Sequence, residues 1–325
     1  MSSEPTCDVS VIIVNWNLKD YLLEAIASVG ETAGETSFEI IVVDNASEDG
    51  SVKAVKEHFS DVRLIENDDN LGFGAANNQG FEIAEGRYFL LLNNDARLLD
   101  GTLDSLVREM DAAPDIAICG GQLLNADGSL QNSFDNVPSL ATELLNKAIL
   151  RRIFPDRFPS KLQETSALRE VEVVIGAMMM IRGSVINEIE GFDTGYFMFL
   201  EETDLCHRAA LKGYRLVQFP EAQAVHHQGT SSVRRLPGLS RVEFYRSRYR
   251  FFSKWYSRTV YLLFRTGCFL KLFPNLFFNF IAAICTLFQH QKTLDRVAIY
   301  WTLIGWHLRG CPEGVGIRQG QTSNT

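Results

Sequence analysis

Three runs of aliphatic and β-branched residues, each stopping on Asn and Asp, constrain this chain more than any other feature. Residues 9–14 (VSVIIV) end on Asn15 and Asn17, residues 38–43 (FEIIVV) on Asp44 and Asn45, and residues 88–92 (YFLLL) on Asn93, Asn94 and Asp95. A run that is apolar at consecutive positions suits a strand buried on both faces. A shorter strand is expected at 62–66, before NDDNLGFGAANNQG. Between the strands, apolar residues recur at helical spacing, as in Leu18, Tyr21, Leu22, Ala25, Ile26 and Val29. Further helices are expected over 52–59, after the glycine-rich string to about residue 84, and over 103–110.

Strands alternating with helices imply an α/β fold, a Rossmann-like, mostly parallel sheet with helices on both faces. In such a sheet the polar strand ends line one edge, so residues distant in sequence converge on the crevice where ligands bind. More strands are expected at 116–119 and 171–181, and a helix from near Glu202 to Gly213. Residues 125–170 lack clear periodicity and carry NADGS, NVPS and FPDRFPS, the composition of a variable binding lid. At 325 residues and 46% hydrophobic content, the chain can bury a large core and has room for two domains or one domain with a long appendage.

Charge divides the chain. Residues 1–232 hold 17 Lys and Arg against 37 Asp and Glu, whereas residues 233–310 hold 13 against 2. The basic part is interleaved with aromatic residues (YRSRYRFFSKWYSR, PNLFFNFIAAICTLF) and suits an anionic membrane surface, where rings sink to headgroup depth and cations meet lipid phosphates. No nucleic-acid recognition motif accompanies it, so nucleic acid is not an expected partner. Residues 272–291 are uncharged and long enough to span a bilayer, but Pro274, Asn275 and Asn279 are expected to break the stretch and favour insertion into one face. A soluble helical subdomain is the alternative. The expected domains are a catalytic domain at 8–232, helices that associate with a membrane at 233–310 and a disordered tail at 311–325. Six scattered cysteines form no C-x-x-C pair, and MSSEPTCDVS lacks the basic start of a signal peptide. Both point to a cytoplasmic protein, peripheral on the cytoplasmic face of the membrane.

Six strings in order, VSVIIVNWN, VVDNASEDGS, NLGFGAANNQG, LLLNNDA, GFDTGYFMFLEETDLCHR and VHHQG, resemble glycosyltransferase family 2, the inverting GT-A sugar transferases, and within it the rhamnosyltransferase-like branch. The resemblance covers about residues 8–232. It implies a GT-A nucleotide-diphospho-sugar transferase fold. It also implies transfer from a nucleotide-diphosphate sugar (dTDP-rhamnose or a UDP-sugar) to a saccharide acceptor, often lipid-linked, in cell-surface polysaccharide synthesis. That chemistry needs positive charge against the departing diphosphate, usually a divalent metal, and a base for the acceptor hydroxyl.

By this resemblance Asp95 is a ligand for Mg²⁺ or Mn²⁺, with His226, or else His227, completing the shell. Asn93 stands where the family's Asp-x-Asp has its first Asp. Asp44, with Asn15, Asn17 and Asn45, is expected to hold the base or ribose, since a carboxylate at a strand end can accept from a hydroxyl. Gly74, Asn77 and Asn94 are expected at the donor. Glu202 takes the base position beside Glu201, where mutual repulsion would raise one pKa, and is a Glu where the family's Glu-Asp pair has Asp. Arg234 and Arg235 either clamp the diphosphate or begin the basic segment.

Each of these residues also has a plainer reading. Asp44 and Asp95 can be turn residues, the glycine string a tight loop before a helix, and Glu201 and Glu202 acids favoured at a helix N-terminus. NLGFGAANNQG has Asn77 where a dinucleotide fingerprint wants its third Gly, and it follows the third strand. A nucleotidyltransferase would want a glycine-rich, basic loop after the first strand, and NWNLKDYL is not one. A catalytically silent protein that binds sugar nucleotide or membrane is the alternative from a different class, given Asn93 and Glu202.

Overall fold

Strands β1 (Cys7–Asn15), β2 (Phe38–Asp44), β3 (Arg63–Glu66) and β4 (Gly86–Leu92) lie parallel in the order β3-β2-β1-β4 in the computed structural model. The model describes residues 5–155, 157–162, 165–227, 237–313, 315 and 317. Arg234, Arg235 and most of the expected 311–325 tail lie outside the described residues. Helices α1 (Lys19–Thr32), α2 (Ser51–His58) and α3 (Phe73–Ile83) connect these strands, as the alternating pattern implies.

Beyond β4 the sheet changes sense. β10 (Met178–Arg182) runs antiparallel between β4 and β6 (Ile116–Leu124). β11 (Arg215–His226) then lies parallel to β6, and β5 (Ala96–Leu98) closes the path antiparallel to β11. The stretch 171–181, expected as strand, is divided. β9 (Val173–Val174) pairs with β7 (Phe134–Asp135) in a separate two-stranded sheet, the chain rejoins the main sheet as β10 after Gly176 and Ala177, and β8 (Arg169–Glu170), just before the stretch, pairs with β11 at the side of the main sheet.

The apolar runs are continuous because both sheet faces are covered. Side chains alternate along a strand. Val11, Ile13, Val42 and Leu90 therefore join one core layer with α1 and α4 (Thr102–Ala112). Ile12, Ile41, Val43 and Leu91 join the other, with α3, α7 (Gly183–Ile189) and α8 (Glu201–Leu211). Each fully buried aliphatic side chain contributes roughly 2 kcal/mol.

The described residues of 1–137, 158–197 and 201–231 form one compact unit, and those of 138–157, 198–200 and 232–325 a second. The second holds α5 (Leu140–Leu144), α6 (Lys147–Ile153), α9 (Pro237–Trp255), α10 (Arg258–Cys285) and α11 (Gln291–Leu308). Its interior is aromatic: Phe252 stacks on Phe264 with centroids 3.7 Å apart, and Tyr249 lies parallel to Trp306. Residues 138–157 thus pack with the C-terminal helices, although they fall inside the expected 8–232 domain. The expected break near residue 274 does not occur. α10 runs unbroken through Pro274, and Asn275 and Asn279 donate their amides to Lys271 O at 2.7 Å and Asn275 O at 2.8 Å, four residues back. Side chains that compete with a helix in the open here bond along it.

Gly72 shows how closely the first unit is fitted around its glycine string. It sits at φ 86°, and a side chain there would collide with the Phe197 carbonyl oxygen, which accepts from Phe73 N at 3.2 Å. Gly72→Ala is expected to cost at least about 2 kcal/mol, from the left-handed backbone and the collision together. Urea unfolding measures it, and an unchanged midpoint would contradict the geometry.

Candidate active site

Strand register brings the polar strand ends together. Asn15 stands opposite Asp44 in the β1–β2 ladder, and its Nδ2 donates to Asp44 Oδ2 at 2.8 Å and to Ser47 Oγ at 3.1 Å. Asn94 Nδ2 donates in turn to Asn15 Oδ1 at 2.8 Å. Asn15 is fully buried, and these bonds occupy its amide, so it orients Asp44 and Asn94 instead of offering a free group. Asp44 Oδ1 accepts from Ser47 N at 2.7 Å, the turn bond of its plainer reading, and the carboxylate keeps lone pairs for a further donor. Asn17, left-handed at φ 54°, accepts from Glu48 N and donates its backbone N–H to Ser47 Oγ. Ser47, which no motif reading singled out, is therefore the hub of this loop.

The glycine string is used for packing. Asn45 donates to Gly72 O at 3.3 Å and accepts from Asn67. The space a side chain at Gly74 would take is filled by Phe192, whose Cβ would be 3.0 Å away. Asn78 clasps the Phe192 backbone with both amide atoms. Asn77 is buried and donates to Phe73 O at 2.9 Å, while its Oδ1 has no hydrogen-bond partner. Gly74 and Asn77, expected at the donor, are thus both buried against protein atoms.

A second cluster forms where β5 meets β11. Ala96 pairs with His226, which sets Asp95 beside the imidazole: His226 Nε2 lies 3.2 Å from Asp95 Oδ1 and 3.3 Å from Asn93 Nδ2. Its Nδ1 lies 2.6 Å from Gln131 Oε1. Gln131 Nε2 donates to Asn125 Oδ1 at 3.0 Å and to His226 O at 3.1 Å, so its Oε1 must be the acceptor and His226 Nδ1 carries the proton. In the neutral ring, Nε2 then presents its lone pair toward Asp95, the arrangement of a metal-ligating histidine held through its other nitrogen. Asp95 and His226 are both buried. His227 instead rests against the Tyr21 ring and donates its backbone N–H to Asp95 O. Among the described residues no group of three or more His, Cys, Asp or Glu is placed to hold a metal; Asp95 and His226, the expected ligands, meet as a pair.

Glu202 approaches the same loop through residues 173–177. Asn93 N donates to Ala177 O at 3.0 Å, a Cβ at Gly176 would be 3.8 Å from Glu202 Cβ, and Val173 pairs with Asp135. Glu202 Oε2 is shut away from solvent with no hydrogen-bond partner. Burial pushes the Glu202 carboxyl above its usual pKa, and the Asp135 charge adds to this, while backbone N–H groups of the first helical turn offset part of it. Asp135, which adds its charge to this effect, is itself paired with Lys161 at 2.5 Å. Glu201 is buried beside Glu202 at the start of α8. Buried Asp204 pairs with Arg208 at 2.8 Å, and Arg208 also donates to the carbonyls of Ile189 and Gly191, which ties the turn before GFDTGYF to α8.

A carboxyl with a raised pKa favours the fold when protonated. That stability is fully present below the unfolded carboxyl's pKa, about 4.3, and is lost as pH rises through the higher folded value. Glu202→Gln is therefore expected to be more stable than wild type at neutral pH, with the difference shrinking toward pH 4 in urea unfolding. A difference independent of pH would contradict the burial of this charge.

The family model described as Glycosyl transferase family 2 matches residues 10–190, a span that contains Asp44, Asn94 and Asp95 and ends before Glu202. The chain is similar to N-acetylglucosaminyl-diphospho-decaprenol L-rhamnosyltransferase of Mycobacterium tuberculosis, at 28% identity over 69% of this chain and 77% of that protein. It is also similar to rhamnosyltransferase WbbL of Escherichia coli, at 26% identity over 67% of this chain and 83% of that one. In fold it matches a solved structure of GalNAc-T7 with UDP, GalNAc and Mn²⁺, with a TM-score of 0.55 and 16% identity, over 75% of this chain and 48% of that chain. With more than half its length matched, the chain belongs to glycosyl transferase family 2 and is a glycosyltransferase of the GT-A fold, of the rhamnosyltransferase-like kind.

Proposed function

We propose that the protein transfers a sugar with inversion from a nucleotide-diphosphate donor, dTDP-rhamnose or a UDP-sugar, to a lipid-linked saccharide at the cytoplasmic face of a membrane. The observation that carries this reading is the pairing of Asp95 with His226 Nε2 at 3.2 Å, with the ring held through Nδ1 by Gln131, on the sheet edge that also holds Asp44. The names of the relatives support the donor and acceptor classes, and the first unit takes the catalytic part.

Asp44 accepts from the ribose or base of the donor, braced by Asn15 and Ser47. A divalent cation, Mg²⁺ or Mn²⁺, would be held by Asp95 and His226 and, when bound, neutralises charge on the departing diphosphate. Gln131 keeps the His226 ring turned and its Nδ1 protonated. Glu202, with its raised proton affinity, takes the proton of the acceptor hydroxyl. The acceptor oxygen then bonds to the anomeric carbon as the bond to the diphosphate breaks on the opposite face, which inverts the configuration. Glu201 adds negative potential at the same helix start.

The second unit takes the membrane role. α10 is the one helix, among the described residues, that is long and apolar enough to cross a bilayer, and Phe273, Phe277, Phe278 and Ile284 on it are exposed. α11 follows after a short loop and carries Lys292, Asp295 and Arg296 in its first two turns. A vertical hairpin would drive these charges into hydrocarbon, so α10 lies in the interface plane.

A panel of dTDP-, UDP- and GDP-sugars with Mn²⁺ tests the reaction. One donor is expected to yield nucleoside diphosphate and a product of inverted anomeric configuration, with Asp44→Ala losing donor binding. Binding without turnover for every donor would favour the silent binding protein. Gln131→Leu is expected to weaken Mn²⁺ binding about 10- to 100-fold, read by electron paramagnetic resonance, and unchanged affinity would remove Gln131 from the site.

A further inference from the structure

We infer that α6 is a second element that sits on an anionic lipid surface beside α10, an inference that rests on the membrane reading above. Residues 138–157 were expected as part of an acceptor lid, yet they are fastened to α9 and α10 within the second unit. Tyr256 OH donates to Pro138 O at 2.6 Å, Lys271 Nζ donates to Glu143 O at 3.0 Å, and Arg248 pairs with the Glu143 carboxylate. Leu144 packs on Gly267, where a side chain would come within 2.8 Å of it.

These contacts anchor α5, and α6, which packs on α5, turns Leu150 inward and Ile149 and Ile153 outward. On α6, Ile149 and Ile153 lie one turn apart at 55% and 60% exposure, and beside the helix Leu145, just before its N-cap, and Phe154, its C-cap, are exposed at 57% and 54%. Lys147, Arg151 and Arg152 are exposed around these residues, and the one acid of the segment's helices, Glu143, is used by Arg248. A surface this apolar lacks a reason to meet water, and among the described residues its rim carries only positive charge. Anionic headgroups over hydrocarbon complement both features at once. A protein partner would need an apolar patch ringed by acids. The same unit carries the exposed phenylalanines of α10 and its own basic residues, so both proposed lipid contacts belong to one unit.

Flotation of the full chain with phosphatidylcholine vesicles, with and without phosphatidylglycerol, tests this. Because the chosen side chains are more than half exposed, Ile149→Ser/Ile153→Ser and Phe277→Ser/Phe278→Ser should keep the wild-type thermal midpoint, and the single Ile variants serve if either pair does not. Wild type is expected to float with phosphatidylglycerol vesicles, and the Ile pair to lower its partition about tenfold or more. Arg151→Gln/Arg152→Gln should lower partition only where phosphatidylglycerol is present, about fivefold per charge at low salt. If the Ile pair floats like wild type while the Phe pair does not, α6 is no lipid contact and the reading of α10 survives. If wild type does not float at all, the membrane reading fails and this inference with it. If the Ile pair instead turns a dimer into a monomer in size-exclusion chromatography, this surface is a contact between copies and the inference is overturned.

Discussion

Antiparallel pairing of β5 with β11 sets Ala96 opposite His226, and one residue before it the carboxylate of Asp95 meets the imidazole. Slipping that ladder by one residue would turn His226 to the other face of the sheet and leave Asp95 alone, because side chains alternate along a strand. β5 is only three residues long, so its register needs help from elsewhere. Thr102 Oγ1 donates to Gln223 O at 2.8 Å, and Leu99 N donates to the same carbonyl at 3.0 Å, which holds the chain after β5 against β11. The rest of the site is hung on this pairing. Asn93 is held by Ala177, Gln131 by the His226 backbone, and Glu202 lies across the same short segment.

Much of what lines the edge braces the few groups left for chemistry. Asn15, Asn45 and Asn78 occupy their amides on protein atoms, and Gly72 and Gly74 make room for Phe197 and Phe192. Such bracing matters for a transfer reaction, in which a small misplacement of the reacting groups costs much of the rate. Asn93 fits the same pattern. A second carboxylate at that position would stand near Asp95 and His226 and repel Asp95. The amide keeps the local charge lower and leaves Asp95 as the carboxylate beside His226.

The parallel half of the sheet was legible because β-branched residues run unbroken where both faces are buried, and the polar ends of β1, β2 and β4 marked the edge. The individual duties of those polar residues were not legible. Whether Asn15 touches a ligand or Asp44 depends on register, which a single strand does not reveal. Gln131 left no local signal, since its partner His226 is 95 positions away. The region 125–170 reads as a lid because α5 and α6 are too short for a clear helical period. Local signals were nevertheless present: Ser139 and Thr142 form a capping box, and Asn146 caps α6 by accepting from Ala148 N. Pro274 was weighed as a breaker by itself, whereas the helix around it is long enough to absorb one lost bond.

Diffraction at the manganese absorption edge, from crystals grown with Mn²⁺ and a nucleoside diphosphate, tests the central claim most directly. The account predicts an anomalous peak at bonding distance from both an Asp95 carboxylate oxygen and His226 Nε2, with the nucleotide's sugar or base at Asp44. Nucleotide bound at Asp44 with manganese located elsewhere, or with no manganese at Asp95 and His226, would contradict it.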